Sequence, residues 1–237
     1  MSMLMRRILL TTVAMLMAWC AMAQGVIVTS TGERIALPAG CKQALVVAGT
    51  TKPNCKIYKI TATGSQRLEW QYEIMDGVTG YAGIAGKNQK REGDGKTPQG
   101  TYALRRGLYY VKDFNTRFPM EQYNERYMWD ETPGSPTYNT LLRNPAPGTK
   151  GDRIWDNRNV LYRYIVVVEY NTSPVVSGKG SAIFLHTWRM QGKGSAGCVA
   201  MSEYNMKRVV EWLNPSMNPH IVILPPGVSV KSFVYNN

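Results

Sequence analysis

Short runs that alternate apolar and polar residues, rich in β-branched side chains and broken at almost every gap by Gly or Pro, constrain this chain more than any other feature. Gln43 to Ala48, Lys56 to Thr63, Leu68 to Met75, Tyr162 to Tyr170, Ala182 to Thr187 and His220 to Leu224 read as strands. The expected fold class is therefore mainly β, a β-rich α+β domain. The clearest helix starts after Ser202, an N-cap residue type, and puts Met206, Val209, Val210 and Leu213 on one face before Asn214-Pro215 ends it. A second helical stretch is expected from Met120 to Trp129, inside a long segment from Gly107 to Asn159 that is rich in aromatics, Arg, Asn, Gly and Pro. Segments of that length in compact domains are functional lids or irregular padding. As a lid over one end of a sheet, this one offers a substrate Tyr109, Tyr110, Tyr123, Tyr127 and Trp129, together with Arg105, Arg106, Arg117 and Arg126.

With 237 residues and 44% apolar side chains the chain can bury a core, and no repeat or low-complexity linker divides it. Arg6 and Arg7 precede an apolar run from Ile8 to Met17, and Ala21-Met22-Ala23 fits small-x-small cleavage, so residues 1–23 read as a secretory signal peptide. The run is shorter than the roughly 20 residues of a spanning helix, and no stable membrane span is expected later. Trp19 before Cys20 disfavours lipoprotein processing. The formal charge is +12, or +10 once Arg6 and Arg7 leave with the leader. Such a surface suits polyanionic surroundings. No element interleaves basic and aromatic residues in one stripe, so a nucleic-acid partner is not expected.

Removing Cys20 leaves Cys41, Cys55 and Cys198. Cys41 and Cys55 flank a strand-like run and a turn, and are expected to close a short disulfide loop stabilised by roughly 3 kcal/mol. Cys198 is then unpaired. His186 ends a strand, and eleven residues loaded with Gly and Ser separate it from Cys198, a length that allows the chain to turn back and bring imidazole to thiol. A free thiol is only a few per cent thiolate at neutral pH, and a neighbouring imidazole raises its nucleophilic fraction. Gly194 and Gly197 permit backbone conformations that a β-carbon penalises, and the amides of Gly197 and Cys198 are candidate oxyanion donors. A structural reading, in which Cys198 is a small buried hydrophobe, stands beside the catalytic one.

These residues resemble the L,D-transpeptidases with a YkuD-type catalytic domain, whose signature is a histidine followed by Ser/Thr-His-Gly-Cys. Ser195, Gly197 and Cys198 match it, and Gly93-Asp94-Gly95-Lys96-Thr97-Pro98-Gln99-Gly100 is similar to the family's Gly-Lys-Thr-Pro-x-Gly segment. Ala196 replaces the second histidine, and Ala200 stands where the family often has Asn or Arg. The similarity runs from about Lys42 to Pro225, through the Glu169-Tyr170-Asn171 strand end, which implies a catalytic domain over 42–225, an N-terminal extension over 24–41 and a C-terminal tail over 226–237. It implies a β-sandwich or barrel-like fold with the site in a cleft and a helix after the catalytic cysteine. Cys198 would be the nucleophile and His186 the general base, with Thr187 or a nearby carbonyl orienting the imidazole. Gly197 would belong to the catalytic set, and Ser195, Trp188, Arg189 and Lys96 to the substrate surface. The implied partners are a peptidoglycan stem-peptide donor and an amine acceptor, in the periplasm or cell wall, with no cofactor.

Other chemistries fail on particular residues. Gly95-Lys96-Thr97 mimics a phosphate-binding loop, but Lys90 occupies the position of its first glycine. Lys193 breaks a serine-hydrolase elbow around Ser195, and His186 and His220 have no metal-ligand spacing. The sortase run is missing, and papain-like enzymes place Cys before His. Three functions remain: a transpeptidase, a hydrolase using the same Cys198–His186 pair, and a wall-binding module that has lost turnover.

Overall fold

The computed structural model describes residues 24–63, 69–155 and 160–236; the expected leader, Leu68 and Asn159 lie outside them. Strands β1 (Gln24–Thr29), β2 (Arg34–Ala36), β3 (Gln43–Gly49), β4 (Asn54–Thr63) and β5 (Glu69–Val78) are followed by the short β6 (Ile84–Ala85) and β7 (Thr97–Pro98) and the long β8 (Gly100–Tyr109). The long segment contributes β9 (Met120–Gln122), β10 (Tyr127–Trp129) and β11 (Leu141–Arg143). Then come β12 (Tyr164–Val168), β13 (Phe184–Thr187), β14 (Val199–Met201), helix α1 (Glu203–Trp212), β15 (His220–Ile223) and β16 (Val230–Asn236).

Eight strands form a ring in the order β12-β13-β14-β5-β4-β3-β15-β8, closed by antiparallel pairing of β8 with β12 and extended by β9 on β8. The fold class expected from the sequence is the one observed, a β-rich barrel with one α-helix among the described residues. After Gln43, β3 is apolar, Ala-Leu-Val-Val-Ala-Gly, because it is covered on both faces. Leu45 and Val47 point into the ring, whereas Ala44, Val46 and Ala48 pack outward with Ile27 and Leu37. That outer cover is the sheet β16-β1-β2, in which residues expected as an extension and a tail pair antiparallel, Gln24 with Asn236 through Val28 with Ser232.

Helix α1 completes the inner core. Ser202 caps it by accepting from the Asn205 amide at 3.2 Å, and Met206, Val209, Val210 and Leu213 pack with Leu104, Val166, Leu185, Val199 and Ile221. Each such apolar side chain stabilises the fold by about 1.5–3 kcal/mol on burial. The free carbonyls at its C-terminal end are taken up from outside, Val210 O by the Thr116 hydroxyl at 2.6 Å and Trp212 O by the Gln43 amide at 2.8 Å.

Two expectations are corrected. Met120 to Trp129 forms no helix: Met120–Gln122 pairs parallel with β8, and Tyr127–Trp129 pairs with Leu141–Arg143. Trp129 is buried edge-on against Phe184, at 4.9 Å between ring centroids, so tertiary pairing overrides the local pattern. Cys41 and Cys55 do not pair either. β3 and β4 are a hairpin in which Gly49 faces Cys55, and Cys41 precedes β3, whose six steps from Gln43 to Gly49 span about 20 Å at 3.3 Å per residue. A disulfide requires α-carbons within about 7 Å. Cys41 packs among the outer cluster and Cys55 in the inner core, both as free thiols. Titration of denatured, unreduced protein beginning at Gln24 should therefore give three thiols, and a count of one would restore the disulfide.

Candidate active site

β13 and β14 are parallel neighbours, Leu185 opposite Val199 and His186 opposite Ala200. Side chains alternate along a strand, so Phe184 and His186 share one face and Leu185 the other. One step back along β14, Cys198 falls beside Phe184 on the face of His186. The Phe184 amide donates to Sγ at 3.4 Å and the thiol donates to the Ala182 carbonyl at 3.2 Å. His186 Nδ1 lies 2.7 Å from the Thr187 carbonyl. A carbonyl only accepts, so Nδ1 carries a hydrogen where it bonds Thr187, and the Leu161 carbonyl is a second backbone partner of the ring. The Tyr162 ring packs edge-on against the imidazole, with centroids 5.1 Å apart, and its hydroxyl donates to Asp152 Oδ2 at 3.2 Å.

The chain between β13 and β14 is pinned at Ser195, which bridges to Gly80: its amide donates to the Thr79 carbonyl at 3.0 Å and its carbonyl accepts from the Tyr81 amide at 2.8 Å. Gly194 is required there, since a β-carbon would lie 2.6 Å from Tyr81 Cα. The Cys198 carbonyl is then held twice, by the Ser195 hydroxyl at 2.6 Å and by the Thr97 hydroxyl at 3.4 Å, while Thr97 Oγ1 accepts from the Gly80 amide at 2.8 Å. The Lys-Thr-Pro segment thus reaches the nucleophile candidate through a fully buried Thr97. The Gly197 amide donates to Ser195 Oγ at 3.0 Å. It is spent on the turn, which corrects its expected role as an oxyanion donor.

Cys198 and His186 open on a cavity of about 500 Å³. Of the site residues expected from sequence, Trp188, Arg189, Ser195 and Gly197 also line it, whereas Thr187 and Lys96 do not. Thr187 meets the imidazole through its carbonyl, and its buried Oγ1 has no hydrogen-bond partner. Sequence reasoning missed Lys90, Glu92, Glu131, Asp152 and Tyr162 in the wall. None of the aromatics or arginines expected of the long segment lines this cavity; Tyr123 and Trp129 instead pack in the core cluster that contains Cys198 and Phe184. The segment is padding at its aromatics and cavity wall at its carboxylates.

Burial governs the electrostatics. It pushes the Cys198 thiol up to about 12, the Phe184 amide opposing this and the Asp152 and Glu131 charges adding to it. Burial also lowers His186 to about 4, against the favourable carbonyls of Thr187 and Leu161. The resting groups are therefore a neutral thiol and a neutral imidazole that open on one cavity. Such a pair transfers its proton only as a bond to an electrophile forms. Among the described residues no group of three or more His, Cys, Asp or Glu side chains is arranged to hold a metal ion, and no helix is long and apolar enough to cross a membrane.

A family model, YkuD, the L,D-transpeptidase catalytic domain, matches residues 48–223. The chain belongs to this family. No curated protein and no solved structure matches it. The match takes in both segments whose geometry converges on Cys198, the Gly93 to Gly100 stretch and the crossover from His186.

Two outcomes follow for this L,D-transpeptidase domain. Alkylation of Cys198, read by peptide mass mapping, should accelerate about tenfold per pH unit from pH 7 to 10, because the thiolate is the reactive form and the thiol stays protonated across that range. A plateau below pH 8 would show a preformed ion pair instead. Thr97→Val, which leaves the buried Gly80 amide without its acceptor, should cost about 1–3 kcal/mol in chemical denaturation, and an unchanged midpoint would remove the clamp from the argument.

Proposed function

We propose that this chain is a secreted L,D-transpeptidase that modifies peptidoglycan stem peptides through a thioester on Cys198. The observation that carries this reading is the shared exposure of Cys198 and His186 to one cavity within a domain of this family. In the proposed reaction Sγ attacks the carbonyl of the L-centre that precedes a terminal D-residue, and its proton passes to His186. The developing oxyanion takes the Cys198 amide, the Gly197 amide being occupied. His186 returns the proton to the departing D-residue amine, leaving the acyl group on sulfur. An amine acceptor then replaces sulfur, and a basic chain, of formal charge +12 and +10 without Arg6 and Arg7, supports retention at an anionic wall. Periplasmic or wall location rests on the signal-like residues 1–23.

Incubation with a tetrapeptide stem should add the tripeptide acyl mass to Cys198. Cys198→Ala should abolish the adduct, and His186→Ala should slow its formation by about 10²–10⁴-fold, the usual contribution of a general base. His220, on β15 with Nδ1 at 2.8 Å from the Asn218 carbonyl, is outside the cavity lining, and His220→Ala should change little. A His186→Ala enzyme within about threefold of the native rate would refute the assignment. Rising concentrations of a D-amino acid should shift products from tripeptide to exchanged stems. Tripeptide alone at saturating acceptor would establish a hydrolase, and an unmodified protein with unchanged stem a binding module.

A further inference from the structure

The wall of the cavity carries three carboxylates, Glu92, Glu131 and Asp152, and they are not equivalent. Glu92 accepts from the hydroxyls of Tyr138 and Ser181, and Asp152 accepts from Tyr162. Glu131 also lines the cavity, and no hydrogen bond or ion pair to it is formed among the described residues. Its own sequence neighbour Asp130 is taken up by the hydroxyls of Ser135 and Thr137 and by the Thr132 amide. The one buried cation of the wall, Lys90, is committed elsewhere, to Asp94 at 2.6 Å and to the Arg91 carbonyl at 2.7 Å. Glu131 therefore sits in a partly dehydrated space where Asp152, Glu92 and Asp130 act on it as like charges and Lys90 opposes them; the two further cations lining the cavity, Arg189 and Lys193, are exposed to solvent. A ligand that brings a cation and gives up a proton relieves that crowding.

The second half-reaction needs such a group. An acceptor amine is mostly an ammonium at neutral pH, without the lone pair required to attack a thioester, and His186 is held too weakly basic by burial to take a proton from it. Resting on the function proposed above, we infer that Glu131 is a catalytic base for the acceptor, receiving the ammonium of a primary amine and removing its first proton before attack on the Cys198 thioester. The step balances. The ammonium passes one proton to the Glu131 carboxylate, and its freed lone pair forms the C–N bond. The C–S bond breaks with its electron pair on sulfur, and a second amine proton restores the Cys198 thiol by way of His186. Amide, free thiol and protonated Glu131 are the products, and the carboxyl releases its proton to water. Burial and the charges of Asp152, Glu92 and Asp130 raise Glu131 to about 7, a value matched to exchanging a proton near neutrality.

The test is a competition on the full enzyme between two acceptors for the same thioester: a D-amino acid, protonated at pH 7, and methoxyamine, which is already a free base there. Taking the product ratio cancels the acylation step and the loss to water. Glu131→Gln should move the ratio toward the methoxyamine product by about tenfold or more at pH 7, with the displacement closing as the pH approaches 10 and solution deprotonates the amino acid. A ratio equal to that of the unsubstituted enzyme overturns the inference. A displacement that persists unchanged at pH 10 also overturns it, since it would mean Glu131 only positions the acceptor. Should Glu131→Gln fail to fold, the unsubstituted enzyme decides: with a protein-borne base its ratio rises less than about threefold from pH 7 to 9, whereas deprotonation in solution raises it about a hundredfold. Absence of any adduct on Cys198 and of every product would instead refute the proposed function itself.

Discussion

Closure of the ring by β8 and β12 is the constraint on which the rest of the molecule depends. Tyr164 faces Tyr109, Ile165 faces Leu108 and Val166 faces Gly107, with the register slipping before Val168 meets Leu104. Gly107 is needed at this seam because a β-carbon would come within 2.5 Å of the Ile165 carbonyl and the Met120 side chain. With the ring closed, β13 is held on one side by antiparallel β12 and on the other by parallel β14. The strand that carries His186 is thus an interior strand with no edge.

A closed ring gives β13 two unlike faces. Leu185 faces inward onto α1 and the residues that fill the barrel, and serves stability alone. Phe184, His186 and the adjoining Cys198 face outward, where the long segment covers them with Trp129, Tyr123 and Ile154. Between barrel and cover, β13 and the residue before β14 open on the cavity of about 500 Å³. The parallel step from β13 to β14 also forces the chain to recross the sheet, and the Ser195 bridge to Gly80 together with the Thr97 clamp fixes where that crossing ends. Cys198 inherits its position from groups on three separate segments of chain.

This division explains what the sequence disclosed. Strands whose apolar residues are consecutive or alternate cleanly, such as Gln43–Gly49 and His220–Ile223, were legible, as was the helix capped by Ser202. β8, which closes the ring, was not, because Gly100, Thr101, Arg105, Arg106 and Gly107 dilute its pattern. Its role comes from pairing partners far away in the chain. β1 and β16 were hidden for the same reason: each needs the other, and some two hundred residues separate them. At the site, His186 and Cys198 could be found together because they lie on one short crossover. Lys90 lies apart from Glu131 and Asp152, which are themselves some twenty residues apart within the long segment, and only the fold brings the three to one wall.

The two shifts at the pair have one cause, and it bears on how the site is switched on. Burial disfavours both thiolate and imidazolium, so an ion pair formed before substrate arrives would be poorly solvated on both partners. Moving the Lys90 charge toward Cys198 would ease this, but that charge is already shared with Asp94, which in turn ties the Arg91 and Lys96 amides. The neighbouring carboxylates Glu131 and Asp152 add to the cost of the thiolate. Negative charge can therefore accumulate in this cavity only where it passes directly from sulfur to a carbonyl oxygen as the new bond forms, or where a ligand carries in a compensating cation. In a cavity built this way burial keeps the thiol protonated near neutral pH, and the carboxylates in the wall add to that effect.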